Sequence, residues 1–534
     1  MGDPPDVLGA RGRQARRVAE QERGLPMSLA EENVEVVGYQ VSSASVPPVN
    51  GGGSMRDATR KRRTTRRMFS ILASLCLVTG MLASTASAAE TSSGATGSRL
   101  AVGAVYVATN AWNGGNKILT FPRYADGQLG AVSAGVATGG RGSGPGQFAP
   151  IVNDPLGSQN SLITDAAGKY LFAVNAGSGD VSSFSAGRGG LALLDRQPSV
   201  PVGVAGQANP FPVSLAESGG TLYVLNAIGN SLTGFKVNAS GRLKALQNCL
   251  LPALPPGNPL DVFSATTTSS QQAVNTQTAG QVGLSPDGKW LVVISKEGPI
   301  STTTPPGGSG DQFPFGPTSG SGHIYAYQVK SDGTLNCASP AGTALRVFPD
   351  GHGTFPFSFT WSSQGSLLVT EVFGQSDQPA SLPGGLSAVS SYSLNADGTF
   401  TLQRRVADPL PVPCWIVRSG DNVFVASFLG PDFGLGAISS FKVASDGGLV
   451  DPSPASASTT GLNGGSDPID VAITSDGRFL YQLAPGPNLA GAPTTQVYPF
   501  AVGSDGSLTA LTAVNDGVGG ANAGEFGIAT VTFK

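Results

Sequence analysis

Short apolar runs alternate with clusters of turn-forming residues along most of this chain, and the pattern predicts β-strands. In Gly168–Phe184 the apolar and aromatic run Tyr170–Asn175 leads into Asn, Gly, Ser and Asp residues at 175–180, and the apolar pattern resumes at Val181. Runs of this length bounded by turn-forming residues are typical of antiparallel strands. The stretch is therefore predicted to be two strands joined by a tight turn.

The same pattern recurs seven times after residue 100, which predicts a repeat architecture. The first apolar runs of the copies are Ala104–Asn110, Tyr170–Asn175, Thr221–Asn226, Trp290–Ser295, Ser366–Glu371, Asn422–Ser427 and Phe479–Ala484. Each is followed by a run that ends in an aromatic residue, and most copies then contain a hairpin signal such as Asp126-Gly127. Because a further strand precedes six of the seven copies, a complete repeat is predicted to have four strands.

The two ends of the repeat region complement each other. The first copy lacks its preceding strand, and a matching segment, Phe526–Thr530, stands alone near the C-terminus. If this segment completes the N-terminal sheet, the ring closes and its sheet edges are covered. We predict an all-β fold: a seven-bladed β-propeller of four-stranded antiparallel blades over residues 104–534, closed by the C-terminal strand.

The N-terminal residues have a different composition. Residues 1–54 show no sustained apolar period and are predicted to be disordered or a spurious extension. Residues 55–88 contain a basic segment, the 16-residue apolar stretch Met68–Ala83, and the small residues Ala86-Ser87-Ala88. This order is typical of an export signal cleaved after Ala88.

The export signal predicts a secreted or periplasmic protein. Its basic segment contains Arg66-Arg67, so a Sec signal and a twin-arginine signal both remain open. Residues 89–103 are predicted to be a linker to the propeller.

Composition agrees with a globular, turn-rich protein. The chain has 75 Gly and 39 Pro, and 40% hydrophobic residues are enough to fill a core. Residues 89–534 contain 20 basic and 27 acidic side chains, a net charge of −7. Without a basic patch, nucleic acid is not an expected partner, and without a second long apolar run the mature form is not expected to enter a membrane. We expect a monomer that binds a small molecule.

Three cysteines remain after signal removal: Cys249, Cys337 and Cys414. Cys249 and Cys337 lie at equivalent ends of two repeats, so a disulfide between them is possible in an oxidising compartment. Isolated thiols that pack as small hydrophobic groups are the alternative.

Polar residues at the strand ends are the candidates for chemistry. In a propeller the inner strand of each blade begins at one mouth of the central channel and the next strand ends there, so these ends converge on a place where ligands bind. The residues placed there are Asn110, Gln159, Asn160, Asn175, Asn226, Lys296, Glu297, His352 and Glu371. An asparagine at a strand end also satisfies turn backbone, so both interpretations stay open for the asparagines.

Other motifs indicate neither a metal nor a cofactor. The chain has two histidines, no Asp-x-Asp-x-Asp spacing and no G-x-S-x-G elbow, which argues against metal sites and serine hydrolases. The glycine-rich run Gly139–Gly146 lacks the lysine of a phosphate-binding loop and is predicted to be a mobile loop. Arg141 within this loop is a candidate for binding a substrate carboxylate.

Three segments carry a family resemblance: Ala137–Gly146 (ATGGRGSGPG), Asp154–Phe184 and Asn209–Asn226. They resemble the seven-bladed lactonase family, which includes 6-phosphogluconolactonase-like proteins and secreted proteins named 3-carboxymuconate cyclases. The resemblance implies a propeller that hydrolyses or forms a small lactone without a cofactor.

The resemblance also allows individual channel-mouth positions of the family to be matched to residues of this chain. The fungal-type cyclases place a histidine, two arginines and a glutamate at the channel mouth. The corresponding residues here are Asn160 (or Gln159), Phe211, Ala227 and Lys296. Only Lys296 keeps the charge, and a lysine binds a carboxylate as a point charge instead of a bidentate fork.

Two hypotheses follow for the function. In the first, the protein is a lactonase in which Glu371 activates water, Lys296 stabilises the carbonyl oxyanion or binds a carboxylate, and His352 transfers the proton to the leaving alkoxide. In the second, the protein is a non-catalytic exported propeller that binds a ligand or partner, because a fold does not dictate a function.

Overall fold

The computed structural model describes residues 99–144, 155–200, 210–227, 231–250, 279–296, 322–345, 354–372, 387–429, 435–450, 468–484, 494–519 and 525–534. The predicted extension at 1–54 and the export signal at 55–88 lie outside these ranges and stay predictions. Among the described residues, no helix has the length and hydropathy needed to cross a bilayer.

The described residues form short strands separated by turns. In the first half of the chain these are β1 (Gly103–Ala108), β2 (Lys117–Arg123), β3 (Val136–Ala137), β4 (Leu162–Thr164), β5 (Tyr170–Asn175), β6 (Asp180–Ser185), β7 (Ala192–Pro198), β8 (Pro212–Ser218), β9 (Thr221–Asn226), β10 (Ser231–Val237), β11 (Leu243–Leu250), β12 (Ala279–Leu284), β13 (Trp290–Ser295), β14 (His323–Gln328) and β15 (Ala341–Ala344). In the second half they are β16 (Phe355–Trp361), β17 (Leu367–Val372), β18 (Ala388–Leu394), β19 (Phe400–Ala407), β20 (Pro413–Ser419), β21 (Asn422–Leu429), β22 (Leu435–Val443), β23 (Leu449–Val450), β24 (Asp470–Ile473), β25 (Phe479–Ala484), β26 (Thr494–Val502), β27 (Leu508–Ala510), β28 (Val514–Gly519) and β29 (Ile528–Thr532).

Hydrogen bonding joins these strands into seven antiparallel sheets, one for each predicted repeat. Blade one is β29-β1-β2-β3, and blades two to six are the consecutive groups β4–β7, β8–β11, β12–β15, β16–β19 and β20–β23. Blade seven is β24–β27, and β28 also pairs with β26. The first strand of each blade contacts the first strand of the next, in the circuit β4, β8, β12, β16, β20, β24, β29 and back to β4. The predicted all-β, seven-bladed propeller is therefore confirmed.

The C-terminal strand closes the ring as predicted. Ala529 of β29 lies opposite Tyr106 of β1, and Ile528 lies opposite Val107. Just before β29, the Phe526 N–H donates to the Ala108 carbonyl at 3.0 Å, and the Ala108 N–H donates to the Gly527 carbonyl at 3.1 Å. The two ends of the propeller are thus joined in one sheet, and β1 is paired on both sides, with β29 and with β2.

The second strand of a blade is buried on both faces, because a neighbouring blade covers each face. All six residues of Tyr170–Asn175 and of Thr221–Asn226 are buried. This explains why these runs are almost continuously apolar instead of alternating. Full burial of one such Leu, Val or Phe side chain stabilises the fold by roughly 1.5–3 kcal/mol.

Tyrosines of the buried strands bind the turns of the following blade. The Tyr223 hydroxyl donates to the Gly333 carbonyl at 2.8 Å, and the Tyr481 hydroxyl donates to the Gly127 carbonyl at 2.9 Å. Both glycines have positive φ angles, 85° and 83°, in the predicted Asp-Gly turns. The Asp-Gly turns thus shape the hairpins and also supply a hydrogen-bond acceptor to the tyrosine of the preceding blade.

A disulfide joins Cys249 of β11 to Cys337, which follows β14 in blade four. The structure therefore favours the bridged alternative over isolated thiols. Beside it, the Gln247 side chain donates to the Leu335 carbonyl at 3.1 Å and accepts from the Leu335 N–H at 2.6 Å. Cys414 is buried and does not take part in a disulfide.

Candidate functional site

The residues before β4 cross the centre of the ring. We call Leu156–Asn160 the channel segment. The Gln159 amide donates to the Ile416 carbonyl at 2.9 Å and accepts from the Ile416 N–H at 3.1 Å. The Ser158 hydroxyl donates to the Val213 carbonyl at 2.8 Å. Since Ile416 belongs to blade six and Val213 to blade three, which are not neighbours, the segment spans the channel.

The channel segment is buried and has aromatic neighbours. Ser158 is 0% exposed and Gln159 is 3% exposed. The Trp415 indole N–H donates to the Ser158 carbonyl at 2.9 Å, and the Trp415 ring packs edge-on against Phe357 with centroids 5.4 Å apart. Gln159, predicted to bind substrate, thus has both side-chain polar atoms bonded to backbone groups across the ring.

Lys296, directly after β13, lies against the channel segment. Its side chain is fully buried, and its ammonium donates to the Gly157 carbonyl. The ammonium nitrogen is 5.5 Å from the centroid of the Phe357 ring, a distance typical of a cation–π contact. Lys296 therefore places a positive charge at the channel and holds the channel segment to blade four.

The two apolar positions that the resemblance singled out, Phe211 and Ala227, are part of the core. Phe211 is 0% exposed and Ala227 is 2% exposed, and the Ala227 N–H donates to the Phe211 carbonyl at 2.8 Å. Both belong to the same hydrophobic cluster as Leu156 of the channel segment. At these positions this chain therefore has apolar packing.

Glu371 lies inside blade five in a buried ion pair. Its Oε2 atom is 2.7 Å from Arg405 Nε, and its Oε1 atom accepts a hydrogen bond from the Tyr392 hydroxyl. The carboxyl side chain is fully buried, and no hydrogen bond or ion pair joins it to Lys296. The structure thus engages both carboxylate oxygens within blade five.

The burial of this ion pair shifts the pKa values of the two side chains that contact Glu371. Burial, and then the neighbouring Glu371 charge, raise the pKa of Tyr392 well above its usual value, so the hydroxyl stays a donor. Burial opposes the charge of Arg405, but the Glu371 carboxylate outweighs it and raises the pKa of the guanidinium. The group is thus an arginine cation, a carboxylate and a neutral phenol within one blade.

The predicted asparagines make contacts within and between blades. Asn175 donates to Asp180 at 2.6 Å and to Ser182 at 2.8 Å, and accepts from Thr138 of the preceding blade at 2.7 Å. Asn226 donates to Ser231 at 3.3 Å. The interpretation that strand-end asparagines satisfy neighbouring polar groups fits these contacts, and their predicted role in ligand binding stays a prediction.

Asn160, Glu297 and His352 are further members of the predicted set. Asn160 has a positive φ angle of 67°, and its carbonyl accepts from the Leu215 N–H at 2.9 Å. Its backbone therefore belongs to the contact between the channel segment and blade three. Glu297 and His352 lie outside the described residues, so their predicted roles stay predictions.

The first part of the glycine-rich run, Gly139–Gly144, contacts neighbouring loops through its backbone, and the predicted mobility of the loop stays a prediction. The Arg141 N–H donates to the Ser178 hydroxyl at 2.8 Å, and the Gly142 N–H donates to the Ala111 carbonyl at 2.9 Å. A Cβ on Gly142 would come within 2.1 Å of the Asn110 backbone. Glycine is required because the two loops touch.

Sequence reasoning missed a buried carboxyl group, Asp408, directly after β19. The side chain is fully buried, and it accepts from the Leu410 N–H at 2.9 Å and from the Ser439 hydroxyl at 3.0 Å. Burial raises its pKa to about 7, although both hydrogen bonds act in the opposite direction. No local signal marks this residue, because its burial depends on blade six.

Asp408 is expected to make stability depend on pH. The folded protein keeps this proton up to about pH 7, whereas an unfolded Asp loses it near pH 4. The folded state therefore binds more protons in this range, and the free energy of unfolding falls with rising pH by up to about 1.4 kcal/mol per unit. Asp408→Asn should remove this slope in urea denaturation at pH 4.5, 6 and 7.5, and be more stable than wild type at pH 7.5.

The control for this prediction is Asp397→Asn, which changes an exposed turn carboxyl whose pKa is lowered by hydrogen bonds from Thr399. It should leave the slope above pH 5 unchanged. An Asp408→Asn protein that keeps the wild-type slope would contradict the prediction.

Potential metal ligands are scattered. Within the described ranges, no group of three or more His, Cys, Asp or Glu side chains is arranged to hold a metal ion. Among the described residues, polar groups that meet at the channel include the Lys296 ammonium, the Trp415 indole N–H, the Ser214 hydroxyl and the amide and carbonyl groups of the channel segment. Chemically, this arrangement places a lysine side chain at the channel, and the Gln159 amide already has a backbone partner.

Comparison with known proteins gives one family match. The family described as lactonase, 7-bladed beta-propeller, matches residues 79–378. Comparison with curated proteins gives no significant match.

Solved structures with a similar chain course include two from bacteria. A putative 6-phosphogluconolactonase from Bacteroides fragilis has 18% identity and a TM-score of 0.48, with 80% of this chain and 98% of that chain covered. The periplasmic gluconolactonase PpgL from Pseudomonas aeruginosa has 18% identity and a TM-score of 0.48, with coverage of 81% and 99%.

Proposed function

The chain belongs to the lactonase family of seven-bladed β-propellers, and from this premise we propose that it hydrolyses a small carboxylated or sugar lactone at the channel mouth. The family match, which covers more than half of the chain, is the observation that carries the proposal. Hydrolysis adds water to the lactone carbonyl, breaks the ring C–O bond and releases a hydroxy acid. Lactone formation, the cyclase direction, uses the same groups in reverse.

The reaction needs charge stabilisation, and Lys296 is the proposed source. A buried cation interacts more strongly with developing negative charge than an exposed cation does, because water screens it less. The ammonium lies beside the Gly157 carbonyl at the centre of the ring, where ligands of such folds bind. We assign to Lys296 the stabilisation of the carbonyl oxyanion or of a substrate carboxylate.

The reaction also needs a proton acceptor and a proton donor. Glu371 is the proposed base for the attacking water, and His352 is the proposed donor to the leaving alkoxide. The observed pairing sets a condition for Glu371: either Tyr392 or Arg405 must move from its oxygen before it can accept a proton from water. The assignment of His352 is a proposal from sequence alone.

The activity is tested by incubating the purified protein with a panel of lactones and measuring the released acid by pH-stat titration. We expect saturable acid release from at least one carboxylated or sugar lactone, above the spontaneous rate and above a heat-inactivated sample. A folded protein that releases no acid from any member of the panel would refute the proposed activity.

Lys296→Met is expected to lower kcat/KM about 100-fold or more, since removal of one oxyanion donor typically costs 10²–10³ in rate. Lys296→Arg, which keeps the charge, should retain more activity. The matched control is Lys289→Met, which changes an exposed lysine before the same strand. Thermal unfolding of each variant shows how much of the loss reflects folding, and equal kcat/KM for Lys296→Met and wild type would remove Lys296 from the mechanism.

A non-catalytic binding propeller is the second candidate. Two observations favour the binding propeller. The Gln159 amide is bonded to the Ile416 backbone, and Glu371 is paired with Arg405, so these groups already have structural partners. Binding of a lactone or its acid without turnover would support this candidate over the enzyme.

We also propose that the protein is exported. The disulfide between Cys249 and Cys337 supports this, since disulfides persist mainly in oxidising compartments. N-terminal sequencing of the protein recovered outside the cytoplasm should begin at Ala89, and a cytoplasmic protein that retains residues 55–88 would contradict the proposal.

A further inference from the structure

Two loops meet on the channel-mouth face between blades one and two. One connects β1 to β2 and contains Trp112, and the other follows β3 and contains Arg141. Both connections lie at the face where second strands end and inner strands begin, which is also the face of Lys296. We call the two residues the Arg141–Trp112 pair.

The backbone around Arg141 is fixed on both sides. The Arg141 N–H donates to the Ser178 hydroxyl, and the Ser178 N–H donates to the Arg141 carbonyl at 3.2 Å. Below this turn, Asn110 is 2% exposed and has a positive φ angle of 46°, and its amide donates to the Ser143 hydroxyl at 2.8 Å. A Cβ on Gly177 would come within 2.7 Å of the Trp112 ring. The loop therefore presents Arg141 from a backbone with little room to move.

The guanidinium of Arg141 is exposed and lies over an aromatic ring. Its central carbon lies 5.5 Å from the centroid of the Trp112 ring, and Trp112 itself is 36% exposed. A cation–π contact of this kind restrains the guanidinium over the ring. The side chain is thus preorganised before any ligand arrives.

Arg141 has no counter-ion in the described part of the chain. Four of the nine other described arginines form ion pairs with carboxylates: Arg99 with Asp126, Arg196 with Asp180, Arg404 with Asp446 and Arg405 with Glu371. No hydrogen bond or ion pair of the Arg141 side chain occurs within the described ranges, although acidic residues outnumber basic ones over residues 89–534. Its donors are available to an external acceptor.

We propose that the Arg141–Trp112 pair is a binding site for an oxyanion group, a carboxylate or a phosphate, on a sugar-sized ligand. A planar guanidinium presents parallel N–H groups that match the two oxygens of such a group. The fixed loop and the stacked ring reduce the conformational entropy that binding would otherwise cost. The identification of this ligand as the lactone substrate or its acid product rests on the proposed function, whereas the site itself does not.

The site can be tested by binding alone, without turnover. Isothermal titration calorimetry at low salt would compare three probes: gluconate, glucose 6-phosphate and neutral glucose. We expect wild type to bind at least one anionic probe at least tenfold more tightly than glucose, and Arg141→Ala to abolish this preference. A preference for gluconate identifies a carboxylate ligand, and a preference for glucose 6-phosphate identifies a phosphate ligand.

Three variants make the test specific. Arg242→Ala is the matched control, because Arg242 is exposed in a hydrogen-bonded turn at the opposite face, and it should bind the probes as wild type does. Arg141→Lys should recover only part of the preference, since a lysine lacks the fork. Trp112→Ala keeps every charge but removes the stacking surface, and it should weaken anion binding several-fold.

The outcomes separate this site from the proposed enzyme activity. Binding that depends on Arg141 in a protein that hydrolyses no lactone supports the site and rejects the enzyme. If wild type binds neither anion, or Arg141→Ala binds as Arg242→Ala does, the site is refuted even when lactones are hydrolysed.

Discussion

Replacement of Arg405 by methionine is expected to lower the free energy of unfolding by about 3–5 kcal/mol, because it leaves the buried Glu371 carboxylate without its cation. The pair is nearly inaccessible to water: the Arg405 side chain is 8% exposed and that of Glu371 is 0% exposed. Tyr392 supplies one neutral hydrogen bond, which does not compensate for the lost charge. Urea denaturation at pH 7 measures the loss.

Arg404→Met is the matched control for this prediction. Arg404 is the preceding residue of β19, and its pair with Asp446 is exposed, with side-chain exposures of 43% and 65%. An exposed pair is worth roughly 0–1 kcal/mol, so this variant should be close to wild type. If Arg405→Met costs no more than Arg404→Met, the buried pair does not stabilise the blade.

The double variant Glu371→Gln/Arg405→Met distinguishes structure from catalysis. It removes both charges, so it should recover part of the stability lost in Arg405→Met. Glu371→Gln alone should also abolish turnover if Glu371 is the base, and turnover must be expressed per folded molecule. Unchanged kcat in the folded double variant would restrict Glu371 to a structural role.

Loss of the disulfide is expected to have the second large effect. A protein with Cys249→Ser and Cys337→Ser should lose about 2–5 kcal/mol of unfolding free energy. The cysteines are separated by 88 residues, so the bridge removes much conformational entropy from the unfolded chain. The Gln247–Leu335 hydrogen bonds remain in the variant, so the folded contact between blades three and four should persist.

Urea denaturation with and without dithiothreitol tests this prediction. Reduced wild type should match the double serine variant, and the variant should not respond to the reductant. Equal midpoints for oxidised wild type and the variant would show that the bridge does not stabilise the folded state.

Most of the fold could be predicted from the sequence, because its signals are local. Runs such as Tyr170–Asn175 and turns such as Asp126-Gly127 each specify a strand or a hairpin within a few residues. Seven copies of this unit, with one strand displaced to the C-terminus, determine the number of blades and the closure of the ring.

The candidate site could be predicted only in part. Placement of Lys296 near the channel follows from its position at a strand end, and its contact with the channel segment agrees with that. The partners of Gln159 and Glu371 were not predictable, since Ile416 is 257 residues from Gln159 and Arg405 is 34 residues from Glu371. A strand pattern indicates that a residue lies at the mouth, but not which neighbour its side chain meets.

The sequence by itself determined the strand repeat, the turns, the blade count and the joining of the two ends, because each depends on alternation and turn chemistry over short distances. Tertiary structure alone decided which polar groups have hydrogen-bond or ion-pair partners inside the protein and which are exposed to solvent. It paired Glu371 with Arg405, bonded Gln159 across the ring and left Arg141 exposed on Trp112. These outcomes depend on how whole blades pack, and a buried charge or amide takes whichever partner that packing brings within hydrogen-bond distance.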